Sequence, residues 1–117
     1  MTARNLLFVI SHAPQRGALA RELLDAVLVA AVFEQRVSLL FVGDGAYQLL
    51  DNGSRDDNIA RNFRALPSYD VDAVYVDRSA LRERGLDVAQ LVLPVRSIGR
   101  AAIRRLLAAQ HAVINDR

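Results

Sequence analysis

The chain has 117 residues, of which 52% are hydrophobic and 24% are charged, and its formal net charge at pH 7 is +2. This size and apolar content predict a single folded domain over residues 1–117 rather than a disordered chain or two ordinary domains. The absence of cysteine excludes disulfides, thiolate nucleophiles and persulfide carriers on this chain. All 15 basic residues are arginine, so Schiff-base chemistry at lysine is excluded as well.

Apolar runs of strand length alternate with helical patterns along the chain. The predicted strands are, in chain order, 5–10, 36–42, 73–77, 91–95 and 111–114. The predicted helices are 17–34, 46–50, a third that Ser54 or Asp56 could cap and that ends before Pro67, 79–84, and a last one that Ser97 caps and that runs to about Gln110. Strands that alternate with helices indicate βαβ crossovers, and therefore an α/β fold with a largely parallel sheet of about five strands between helical layers.

The first predicted helix has two apolar stripes. One could cover the sheet and consists of Leu19, Leu23, Ala26, Val27 and Ala30. The other consists of Leu24, Leu28, Ala31 and Val32. Because a surface helix needs only one apolar stripe, the second predicts either a deeply buried core helix or a subunit interface.

Membrane and cofactor signals are weak in this sequence. The longest apolar run, 26–33, is preceded by charged residues on the same predicted helix and is too short to span a membrane. The N-terminal stretch is typical of a strand and has no cleavage pattern of a signal peptide, so we expect a cytoplasmic protein. Two isolated histidines, His12 and His111, have no familiar zinc spacing, and we predict neither metal nor cofactor.

Polar residues follow three of the predicted strands. His12 lies in a loop before the first helix, Asp44 lies between two glycines, and Asp77 precedes Arg78-Ser79. A turn explains Asp44, and a helix N-cap explains Asp77. The three side chains could instead line the sheet edge as the ligand site of a stand-alone homo-oligomer, or as the site of an enzyme, although no nucleophile–base pair is evident.

Arginines recur every four residues near the C-terminus. Arg96, Arg100 and Arg104 would form a one-sided row, with Arg105 beside it. Arginine suits recognition of carboxylates and phosphates, so the row indicates either a solvated face or contact with an acidic partner.

Three stretches together resemble the TusC/DsrF family. They are FVISHAPQRGALARELLDAVLVAA at 8–31, LFVGDGAYQLL at 40–50 and LRERGLD at 81–87. The matches keep their order and spacing from about Leu6 to Ile114. The resemblance implies the three-layer fold of DsrE/DsrF/DsrH-like proteins. It also implies a place in a heterohexamer with TusD-like and TusB-like subunits.

The same resemblance bears on the site and the function. The resemblance implies that the heterohexamer is a sulfur relay, in which sulfur is carried as a persulfide. The cysteine that accepts the sulfur belongs to the TusD/DsrE subunit, and Asp77 stands at about the corresponding position here. An aspartate cannot carry a persulfide, so we predict no catalytic residue and a structural subunit that supports 2-thiolation of the tRNA wobble uridine. A DsrF-like subunit of a dissimilatory sulfur-oxidation complex is the alternative. Within this family the second stripe, Leu24, Leu28, Ala31 and Val32, is predicted to form a subunit interface.

Overall fold

A computed structural model of the chain describes residues 3–13, 18–33, 35–50, 63–71 and 73–116. Five parallel strands form one sheet in the order β4-β3-β2-β1-β5. The strands are β1 (Asn5–Ile10), β2 (Arg36–Phe41), β3 (Ala73–Asp77), β4 (Arg96–Ile98) and β5 (Ala112–Asn115). The α-helices whose bounds lie within the described residues are α1 (Ala18–Val32), α2 (Arg78–Glu83) and α3 (Arg100–Ala108). This architecture confirms the predicted α/β fold with a parallel, five-stranded sheet.

The path of the chain places helices on both faces of the sheet. From β1 the chain moves through β2 and β3 to β4 in one direction, and α3 then leads back to β5 on the far side of β1. Because parallel crossovers are right-handed, connections that run in opposite directions lie on opposite faces. The helices α1 and α2 therefore cover one face, and α3 covers the other.

The core lies around the middle strands. Phe8, Leu39 and Val74 are buried at matched positions, since Phe8 pairs with Leu39 and Leu39 pairs with Val74 across the sheet. Phe41 packs against Phe63 with the ring centroids 5.4 Å apart in an edge-to-face arrangement. Continuous apolar strands of this kind form where helices cover both faces of a parallel sheet.

The sheet-facing stripe of α1 agrees with the predicted one only in part, since Val27 and Ala30 lie in or against the core as expected. Leu24 and Val27 are buried in the core, and Leu28 and Ala31 are half-buried against it. Ala26, assigned to the covering stripe from the sequence, is exposed. The spacing i, i+3, i+4 and i+7 from Leu24 thus faces the sheet, because the helix is rotated from the orientation that the sequence suggested.

Two predicted boundaries near the C-terminus are also wrong. Residues 91–95 do not form a strand of the sheet. Leu91 makes an isolated antiparallel bridge with Leu50, and β4 begins at Arg96. The last helix begins after Gly99 rather than after Ser97, and no side chain caps it.

The helix predicted at 46–50 can be compared with the structure in full, and the third predicted helix only in part. The short segment predicted at 46–50 is a 3-10 helix over Gly43–Leu49. Most of the third predicted helix, with its candidate caps Ser54 and Asp56, lies outside the described residues, as does Gly17. The described part of that region includes a 3-10 helix over Leu66–Tyr69.

Candidate functional site at the carboxyl edge of the sheet

All five strands are parallel, so the loops that follow them meet at one edge of the sheet. In open α/β folds this edge is where ligands and partners bind. His12, Asp44 and Asp77 each lie in or next to one of these loops. The side chains of Asp44 and Asp77 bond to different partners and that of His12 lies beside Asp116, so the structure places the three at one edge without joining them in one site.

Asp77 is the N-cap of α2. Its Oδ1 accepts a hydrogen bond from the backbone N–H of Ser79 at 3.0 Å and another from the Ser79 hydroxyl at 2.9 Å. The carboxylate thereby satisfies an N–H group that has no partner within the helix. This geometry confirms the prediction that Asp77 caps a helix.

Asp44 is held by an arginine that the sequence did not single out. Nε and Nη2 of Arg84 donate to Oδ1 of Asp44 at 3.1 and 2.9 Å, while Nη1 donates to the carbonyl oxygen of Ala80. The guanidinium carbon also lies 5.8 Å from the ring centre of Tyr47. Arg84 therefore links the turn after β2 to α2, and the Asp44 carboxylate faces the guanidinium group of Arg84.

A buried network joins β1 to the residue that follows β5. Oδ1 and Oδ2 of Asp116 accept the Ser11 backbone N–H at 3.0 and 2.9 Å, and the His12 backbone N–H reaches Oδ2 at 3.0 Å. The Ser11 hydroxyl donates to Oδ1 at 2.8 Å. Sequence reasoning missed Asp116. Its one signal was an acidic residue two positions after the end of the predicted strand 111–114.

Hydrogen bonding in this network differs from that of a Ser-His-Asp hydrolase. A catalytic serine donates its proton to histidine, which is oriented in turn by the aspartate. Here the Ser11 hydroxyl donates to Asp116 itself. Nδ1 of His12 lies 3.2 Å from Oδ2 of Asp116, but it is outside hydrogen-bonding geometry. The network is therefore arranged to hold the loop after β1 and not to activate the serine.

The environment of Asp116 lowers the pKa of its carboxyl group. Burial is the largest single influence and raises the pKa, because it disfavours the charged form. The backbone N–H groups of Ser11 and His12, the Ser11 hydroxyl and the adjacent imidazole act in the opposite direction and together outweigh burial. Asp116 is therefore an anion in the folded chain at neutral pH.

Gln48 supports the same loop from the 3-10 helix after β2. Its side chain is 2% exposed, and Nε2 donates to the carbonyl oxygen of His12 at 3.0 Å. Together, Asp116 and Gln48 fix both the N–H and the C=O of His12. The backbone at His12 is thus held by residues from two distant parts of the sequence.

Four arginines surround a cavity of about 460 Å³ at the carboxyl ends of β3 and β4. We call it the arginine cavity. It is lined by Arg78 and Arg82 of α2, Arg100 and Arg104 of α3, and also by Val42, Asp77, Ser79, Gly99 and Ile103. The predicted arginine row is therefore split. Arg96 belongs to β4 and Arg105 does not line the cavity, whereas two arginines of α2 complete it.

The end of α1 exposes large apolar side chains. Val29, Val32 and Phe33 are 57%, 66% and 72% exposed. They lie on one side of the helix end, since they are three and four residues apart. We call these three residues the α1 patch. Of the interface candidates from the sequence, Val32 belongs to the patch, Leu28 and Ala31 are half-buried against the core, and Leu24 is 2% exposed in the core.

The described ranges hold neither a cluster of metal ligands nor a membrane-spanning helix. Within residues 3–13, 18–33, 35–50, 63–71 and 73–116, no three His, Asp or Glu side chains are grouped as a metal site would require. Among the helices described, none is both long enough and apolar enough to cross a membrane.

Comparison with known proteins agrees with this fold. The sequence pattern of the DsrE/DsrF-like family matches residues 4–115. A curated relative, the "Protein TusC homolog" of Pseudomonas aeruginosa, is 36% identical over 116 residues, which cover 96% of this chain and 98% of the relative. The crystal structure of the YchN protein from E. coli superposes with a TM-score of 0.84 at 16% identity, over 96% of this chain and 98% of that one.

The parallel five-stranded sheet thus defines an α/β fold of the kind found in YchN. The chain belongs to the DsrE/DsrF-like family. Its similarity to a TusC homolog bears out the resemblance found in the sequence.

Proposed function

We propose that this chain is a non-catalytic subunit of a TusBCD-like sulfur-relay complex that supports 2-thiolation of the tRNA wobble uridine in the cytoplasm. The observation that carries the proposal is the similarity to a TusC homolog over 96% of the chain. In this proposal the 117 residues act as one domain beside TusD-like and TusB-like partners, with two copies of each subunit.

The geometry at Asp77 supports a structural role. A sulfur carrier needs a thiolate, and the chain contains no cysteine. At the position that the family resemblance equates with the acceptor cysteine, Asp77 bonds to Ser79 and caps α2. The sulfur atom would therefore be carried by the partner subunit, and this chain would supply the fold that the partner packs against.

The α1 patch supports an assembly. Exposed valine and phenylalanine side chains are stabilised when a partner removes them from water, by about 25 cal/mol per Å² of apolar surface. We propose that Val29, Val32 and Phe33 contact a neighbouring subunit, with Leu28 and Ala31 packed against the core of this chain. Leu24 would act through the core and not by direct contact.

Deletion of the gene tests the tRNA branch of the proposal. We expect the 2-thiouridine content of the affected tRNAs, measured by mass spectrometry of nucleosides, to fall and to return on expression of the chain. An unchanged 2-thiouridine content in the deletion strain would contradict this function. If sulfur oxidation fell instead in that strain, the DsrF-like alternative would replace it.

A further inference from the structure

The arginine cavity has an excess of positive charge among its lining residues. Four arginines line it, and Asp77 is the one acidic residue among the lining residues. None of the four arginines forms an ion pair with a carboxylate of the described residues, and Arg78 makes only a 3.5 Å hydrogen bond from Nη2 to the carbonyl oxygen of Ser97. Like charges around one cavity repel each other, so the arrangement favours a bound anion.

The beginning of α3 adds to the same field. Its N-cap is Gly99, and no side chain caps the helix. The N–H groups of the first turn have no acceptor within a helix, and that end carries a partial positive charge. Arg78 lies close to this end, because a Cβ atom on Gly99 would be 3.4 Å from its Nη1. A cation beside a helix N-terminus is unfavourable unless an anion lies between them.

The location of the cavity is also suited to a ligand. The connection after β3 follows one face of the sheet, while the connection after β4 follows the other face. A crevice opens between two strands that diverge in this way, and ligands of α/β proteins bind at such points. Val42 and Ile103 give the crevice apolar walls, which strengthen electrostatic attraction inside it.

We propose that the arginine cavity binds a small oxyanion with two or more negative charges, of the phosphate or sulfate class. The guanidinium groups of Arg82, Arg100 and Arg104 offer paired N–H donors that match tetrahedral oxyanions, and the first turn of α3 offers further N–H groups. The site goes beyond the proposed function and does not depend on it, since it requires no partner subunit.

Isothermal titration of the full chain with inorganic pyrophosphate tests the site. The ionic strength is held constant with sodium chloride, so that general screening does not change. The matched variants are Arg104→Gln and Arg105→Gln, which remove one positive charge each from neighbouring exposed positions of α3. Of these two arginines, Arg104 lines the cavity and Arg105 does not.

We expect saturable binding of one pyrophosphate per chain. Loss of a charge-assisted hydrogen bond in Arg104→Gln should raise the Kd by about tenfold, whereas Arg105→Gln should change it by less than about twofold. The absence of saturable binding, or an equal effect of both variants, would overturn the proposal. Competition by sulfate would extend the ligand class to tetrahedral oxyanions in general, and its absence would restrict the site to phosphates.

Amide chemical shifts provide a second readout that needs no variant. In the same titration, followed by nitrogen-edited NMR, the amides of Ser79, Gly99 and Ala101 should move with the Kd found by calorimetry. Shifts confined to residues far from the cavity would assign the binding to another surface and refute the site.

Discussion

Asp116 and Ser11 are 105 residues apart in the sequence, yet both carboxylate oxygens of Asp116 accept the backbone N–H of Ser11. The Ser11 hydroxyl adds a bond of 2.8 Å to the same carboxylate. This contact joins the residues that follow β1 and β5, next to the last pair of their register, Val9 and Asn115. It is a charged group, buried and satisfied, that links the two ends of the described chain.

The first prediction concerns this carboxylate. Asp116→Asn should lower the free energy of unfolding by about 1–3 kcal/mol at pH 7, because an amide nitrogen replaces one of the two buried oxygens that accept the N–H groups of Ser11 and His12. Urea unfolding measures the difference. The matched control is Asp70→Asn, an exposed position at φ 63° where asparagine fits equally well and little change is expected.

The effect should depend on pH. The folded-state pKa of Asp116 is lowered below its ordinary value of 3.8, so the stabilisation is fully present above that value and is lost as the pH falls through the folded-state pKa. The difference between wild type and Asp116→Asn should therefore shrink below about pH 4. A difference that stays constant down to pH 2 would show that the charge of Asp116 contributes nothing.

The second prediction concerns Gly45, where the turn after β2 meets the end of β1. A Cβ atom at this position would overlap the carbonyl oxygen of Ile10 and lie 2.6 Å from its carbonyl carbon. Backbone cannot move aside as a flexible side chain does, so Gly45→Ala should cost more than about 2 kcal/mol in urea unfolding. Gly85→Ala is the comparison, with open space around its Cβ and strain only from φ +64°. We expect it to cost about 1 kcal/mol, and an equal loss in both variants would contradict the close approach.

The third prediction separates stability from chemistry at Asp77. Removal of the cap in Asp77→Ala should lower the free energy of unfolding by about 1 kcal/mol, while Asp77→Asn, which retains an oxygen acceptor, should lower it less. In cells that lack the native gene, both variants should restore 2-thiouridine in tRNA. Failure of a folded Asp77→Asn variant to restore it would assign a chemical role to this carboxylate.

The fourth prediction addresses the α1 patch. Val32→Asp should prevent assembly with TusD-like and TusB-like partners, because a charge would be buried at the interface. The isolated chain should keep its fold, since Val32 is exposed. Size-exclusion chromatography of the co-expressed subunits measures assembly, and circular dichroism of the variant measures the fold.

Two comparisons complete this test. Val88→Asp places the same charge at an exposed valine on another part of the chain and should leave assembly intact. Leu28→Asp is less informative, because the half-buried side chain packs against the core and its substitution should also destabilise the fold. Normal assembly of the double variant Val32→Asp, Phe33→Asp would remove the α1 patch from the interface.

Secondary structure could be predicted wherever the sequence pattern was long and apolar. The bounds of β1 and β3 agree with the prediction, because each is a continuous apolar run with a polar residue or turn at its end. The edge strand β4 was missed, since it is three residues long and begins with an arginine. Leu93, in the apolar run that precedes it, is buried in the core without joining the sheet.

Site residues could be predicted where their contacts are local in the sequence, and not where their contacts are distant. Asp77 could be identified as a cap because its partner Ser79 is two residues away. Asp116 and the arginine cavity could not be found, because their groups come from separate elements that only the fold brings together. The orientation of α1 was equally hidden, since both of its stripes are apolar enough to face a sheet.

Native mass spectrometry of the chain, co-expressed with TusD-like and TusB-like proteins from the same genome, tests the central claim most directly. We predict a heterohexamer with two copies of each subunit, which should persist when this chain carries Val88→Asp and dissociate when it carries Val32→Asp. Recovery of the chain only as a monomer or as a homo-oligomer, with both partners present and folded, would contradict its assignment as a subunit of a sulfur-relay complex.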